Sequence, residues 1–137
     1  MATRGCIARV HGEGFRGVYH HWDSHPTALG KDLFELAQEE DLGALLRDLI
    51  DEHSAGWLYV REECVCHDAG EPSAVVVTDQ LHSSMVEWSY AFDEEARTMA
   101  VLRHLTGQGW YLCAVVELDG PPPDWKLIEA KGDAAAR

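Results

Sequence analysis

The chain has 137 residues, of which 24 are acidic and 11 basic, for a formal net charge of −13. That balance argues against direct nucleic-acid binding, because phosphate contacts need clustered Lys and Arg, and it favours a solvated exterior kept soluble by charge. No apolar run reaches the ~20 residues that span a bilayer, and the opening lacks the apolar core of a signal peptide. The expectation is a cytoplasmic, non-membrane protein: one domain over residues 1–130 and a disordered tail over 131–137.

In chain order, residues 5–10 read as a short apolar strand, and His11-Gly12-Glu13-Gly14 as a hairpin turn. Residues 15–22 return as the second strand. Its period of two sets Val18, His20 and Trp22 on one face and Tyr19 and His21 on the other. Asp23-Ser24-His25-Pro26 breaks the strand and reads as a helix start, with a side-chain oxygen capping free N–H groups. Helix one follows over residues 27–38. Asp41 caps helix two, where Leu42, Leu45, Leu46, Leu49 and Ile50 make an i, i+3, i+4, i+7, i+8 stripe. Gly56 is its left-handed stop.

Residues 57–60 read as a strand, 61–72 as irregular, and 74–78 as a short β-branched buried strand. Residues 85–92 alternate, with Val86, Trp88, Tyr90 and Phe92 on one face. Residues 97–102 pair back as a hairpin, in preference to the helix that Ala, Met, Leu and Arg also favour. Residues 110–118 are the strongest β run, Pro121-Pro122-Pro123 stops it, and 124–130 form a terminal helical turn with Trp125 packed on the body. Strands and helices are segregated. The fold class is therefore α+β: a mostly antiparallel sheet with an N-terminal β-hairpin and two amphipathic helices packed on one face.

Met1-Ala2-Thr3-Arg4, Ile7-Ala8 and Gly17-Val18-Tyr19-x-His21-Trp22-Asp23 together resemble a family of small uncharacterised phage and bacterial proteins. That family opens Met-x-Thr-Arg and carries Tyr-x-His-Trp-Asp-Gly-Tyr before its first helix. Cys66-His67-Asp68-Ala69-Gly70-Glu71 is similar to its Arg-Asp-Arg-Gly-Glu segment, with Asp68, Gly70 and Glu71 matching and His67 and Ala69 in place of the two arginines. Ser24-His25 likewise stands where the family has Gly-Tyr. The resemblance covers about the first half of the chain. It implies a mobile-element or prophage context and no activity.

Two constellations carry chemistry. Cys64, Cys66 and His67 are three zinc-type ligands within four residues, with His25, His21 or His82 as a fourth. The spacing is tighter than zinc pairs usually show, because alternation puts the two thiols on one face and His67 on the other. Zinc is thus a minority alternative to having no cofactor. His20 and His21 point in opposite directions and do not share a metal. The second constellation is Tyr19, His21 and Asp23 on one face, where a carboxylate beside His orients the ring for acid–base work. Its plainer alternative has Asp23 capping helix one. If the two family-like loops meet, Tyr19, His21, Trp22, Asp23, His25, Asp68 and Glu71 rim a ligand site.

No elbow, P-loop, dinucleotide or HExxH motif is present, and Cys6 and Cys113 read as core thiols. The leading functional expectation is a non-enzymatic binding protein for a small ligand or protein partner. The alternatives are a small His/Asp hydrolase-like enzyme, metal-dependent in one version, and an acidic inhibitor of a basic partner.

Overall fold

The computed structural model describes residues 3–53, 55–64, 75–77 and 86–137, with the backbone alone for 75–77. Cys66, His67, Asp68, Glu71 and His82 lie outside the described residues.

Alternation and a glycine turn build the first hairpin. β1 (Gly5–His11) and β2 (Gly14–His20) pair antiparallel, with Ile7 opposite Val18. Pro26 opens a π turn, Pro26–Gly30, that runs into α1 (Lys31–Glu39). α2 (Leu42–Leu46) starts at Asp41, whose Oδ2 accepts from the Ala44 N–H at 3.0 Å, and continues as a second π turn, Arg47–Asp51. Gly56 then turns the chain with φ +98. A side chain there would meet the Tyr19 carbonyl oxygen at 2.3 Å, so glycine is required on both counts.

β3 (Trp57–Tyr59) and β4 (Glu63–Cys64) follow. β5 (Val75–Val77) pairs with β2 at Phe15–Gly17. β6 (Trp88–Asp93), β7 (Thr98–Leu105) and β8 (Gly109–Glu117) form the antiparallel meander expected for this region, and residues 97–104 are not helical. α3 (Trp125–Ala135) closes the chain.

One sheet results, in the order β4-β3-β2-β1-β6-β7-β8, with β5 beside β2 off that path. The α+β class holds, but the sheet is mixed rather than mostly antiparallel. β1 runs parallel to β6, and β2 parallel to β3. The cause is topological. α1 and α2 carry the chain from the end of β2 back to the start of β3, which is how parallel neighbours are connected. β6 likewise enters beside β1 in the same direction, with Gly5 opposite Trp88 and Ile7 opposite Tyr90.

The helices cover one face. Leu33, Phe34, Leu42, Leu45, Leu46, Leu49 and Ile50 pack into a single core with Ile7, Val18, Trp88, Tyr90, Phe92, Met99 and Val101. Trp125 and Ile128 of α3 join it. Gly132 seats against the Trp88 ring, where an added Cβ would come within 2.3 Å. This contact is why the chain stays helical to Ala135, through the stretch expected to be a disordered tail. On the opposite face Cys6, Ala8, Val86 and Ala91 form a smaller cluster, with Phe15, Tyr19, Leu102 and Trp110 packed against it. Val86 therefore sits on the far side from Trp88, Tyr90 and Phe92, because β6 begins only at Trp88.

Candidate functional site

The end of β2 is held by a buried polar hub. His20 is fully buried. Its Nε2 accepts from the Val60 N–H at 3.1 Å, which fixes Nε2 as the unprotonated nitrogen. Nδ1 then donates to Ser24 Oγ at 2.9 Å, and Ser24 Oγ donates to the His20 carbonyl at 3.3 Å. Tyr90 donates its hydroxyl proton to the Ser24 carbonyl at 2.6 Å. Burial, with His21 next to it, pushes the His20 imidazole down to about 3. This histidine stays neutral, has both nitrogens satisfied, and acts as an anchor under the loop that follows.

That loop carries the sequence-predicted site. The His21 N–H bonds the Trp57 carbonyl at 3.0 Å and the Trp22 N–H bonds the Leu58 carbonyl at 2.9 Å, so β3 holds both residues past the end of β2. His21 is joined to Tyr19, whose phenol oxygen shares a hydrogen bond of 2.7 Å with Nδ1. Trp22 packs edge-on to the His21 ring at 4.4 Å between centroids. Trp22 is 47% exposed, which leaves aromatic surface available to a ligand. Burial raises the Tyr19 phenol above its usual range, against the pull of the Arg4 guanidinium beside it.

Three of the expected relations change. Asp23 adopts φ +50, a left-handed conformation that Asp tolerates. Its carboxylate consequently faces His25, 3.8 Å from Nε2, and not His21. The helix start has His25 at its N-cap and no side-chain cap, so neither Asp23 nor Ser24 plays the expected capping role. Trp22 does not continue the buried face of Val18 and His20, because β2 ends at His20. Tyr19, His21 and Trp22 are thus brought together, with the exposed Asp23 and the half-buried His25 forming a separate pair.

Cys64 is partly buried, unpaired, and packed against the main core. Among the described residues no group of three His, Cys, Asp or Glu is placed to hold a metal ion. Burial pushes the Cys6 thiol up to about 12 and raises that of Cys113, which fits inert core cysteines.

Sequence reasoning missed Arg4 as a neighbour of Tyr19. The signal was available: Arg4 immediately precedes β1, two residues before Cys6, which sits opposite Tyr19. It also missed an acid-rich cavity of about 240 Å³ at Tyr59, lined by Asp32, Glu35, Glu39 and Glu62 together with Arg61. Tyr59 donates a short hydrogen bond to Asp32 there. Burial first, then Asp32, pushes the Tyr59 phenol far above its usual range.

Against known proteins the chain stands apart: no family model, curated protein or solved structure matches it.

Proposed function

We propose that the protein is a non-enzymatic binding protein of mobile-element type, holding a small ligand or a partner's side chain at Tyr19, His21 and Trp22. The observation that carries this reading is the half-exposed Trp22 packed edge-on to a His21 whose Nδ1 is already engaged. If the phenol donates to Nδ1, Nε2 carries the proton and offers one fixed donor beside an aromatic surface. With Arg4 near Tyr19, that combination suits a planar ligand bearing an acceptor or negative group. Acid–base chemistry has weaker support, since among the described residues no carboxylate pairs with His21, and the Asp23 side chain is 71% exposed beside His25.

The test is an NMR screen of small heteroaromatic acids against the protein. Hits should move the Trp22 indole N–H and the His21 ring. His21→Ala should fold normally and lose at least about tenfold in affinity. Hits that map elsewhere, or an affinity unchanged in His21→Ala, would remove this site.

A basic partner is the second reading, favoured by the acid-rich cavity at Asp32, Glu35, Glu39 and Glu62. Its mark would be binding that disappears at high salt and is indifferent to His21→Ala.

A further inference from the structure

β8 ends the sheet, and among the described residues no strand pairs with its outer edge. Soluble proteins usually guard such an edge with lysine, proline, an inward charge or a very short strand. β8 is nine residues long, and residues 109–116 contain neither a charge nor a proline. The opposite end of the sheet is β4, two residues long, with the charged Glu63.

The irregularity in β8 gives it a particular symmetry. Val101 pairs with Ala114 and Leu102 with Leu112, so Cys113 is an extra residue, a β-bulge. Tyr111, Cys113, Ala114 and Val116 consequently belong with the helix-side core. Leu112 and Val115, three apart, both stand on the face away from the helices, here the open face, 52% and 56% exposed. Their partners there, Leu102 and Ala100, belong to the open-face cluster, as does Trp110. The face pattern of β8 therefore reads the same in both directions from the bond between Cys113 and Ala114.

We propose that two copies of the chain pair antiparallel through β8 about that midpoint, joining two sheets into one. Leu112 then faces Val115 of the second copy, and the same apolar pair forms again across the two-fold axis. Tyr111 faces Val116, Cys113 faces Ala114, and Trp110 faces Glu117, so every pair shares a face and no like charges meet. Shifting the register by up to three residues in either direction sets a helix-side residue against an open-face one. The palindrome selects a second copy over an unrelated strand. The acid-rich cavity lies at the β3–β4 end of the sheet, so this pairing also keeps the acidic linings of that cavity in the two copies apart.

Sedimentation equilibrium on the full chain, from micromolar to millimolar concentration, is the first measurement, and a monomer–dimer equilibrium is expected. Leu112→Lys and Val115→Lys, each on a half-exposed side chain, should keep the circular dichroism spectrum and weaken dimerisation at least about tenfold. The register is read by oxidising the Leu112→Cys/Val115→Cys double variant and mapping the covalent dimer, with a bridge from position 112 of one copy to 115 of the other expected. Leu112→Cys alone should not bridge to itself through position 112. A monomer at all concentrations, a dimer indifferent to both lysines, or a 112–112 bridge would each overturn the proposal.

Discussion

Among single residues, His20 shows how the tertiary environment sets chemistry. In the unfolded chain its imidazole takes a proton near pH 6.5, and in the folded protein only near 3. The native state holds fewer protons between those values. Its contribution to stability is therefore complete above pH 6.5 and is lost as pH falls, at up to about 1.4 kcal/mol per pH unit. Comparing denaturant unfolding at pH 7 and pH 5, the wild type should lose about 2 kcal/mol more than His20→Gln. Equal losses would show that His20 is not held neutral. In the sequence His20 looked like any inward strand residue. Its Val60 and Ser24 partners lie 40 positions and four positions away, and only the folded chain shows that both nitrogens are filled.

For the elements, hydrophobic period was a reliable guide and loop conformation was not. The α2 stripe came straight from spacing, and Leu42, Leu45, Leu46, Leu49 and Ile50 are all buried. Leu46→Asp puts an unpaired carboxylate at a fully buried position and should abolish soluble folding. A soluble variant with native far-UV and near-UV circular dichroism would refute that packing. The His21–Asp23 pairing failed for a local reason: one left-handed φ at Asp23 turns its carboxylate towards His25. Period-two counting does not survive past the last paired residue of a strand. α3 ran on past its expected end because Gly132 packs on Trp88, a contact 44 positions apart in the chain that carries no local signal.

For the molecule as a whole, the parallel β1–β6 pair joins the N-terminal hairpin to the β6–β8 meander. Ile7 and Tyr90 at its centre are fully buried. Their amides should be among the last to exchange with deuterium, close to the rate set by global unfolding, while the turn between Asp93 and Thr98 exchanges early. If the β1 amides exchanged as fast as that turn, the pair would not be the backbone of the fold. Because this pairing links residues more than 80 positions apart, it is invisible to any local window of sequence.

The sequence by itself determined most of the strands, though not β4 at Glu63–Cys64 in the stretch read as irregular, and also the helix stripe and its Asp41 cap, the glycine turns, and the grouping of Tyr19 with His21. These rest on local spacing, which side-chain period and backbone sterics convert directly into geometry. The tertiary structure alone decided that the sheet is mixed, that Asp23 leaves His21, that His20 is a silent anchor, and that a bulge at Cys113 breaks the alternation of β8. Each of those depends on which distant strand lies alongside, a choice made by the packing energy of the whole core.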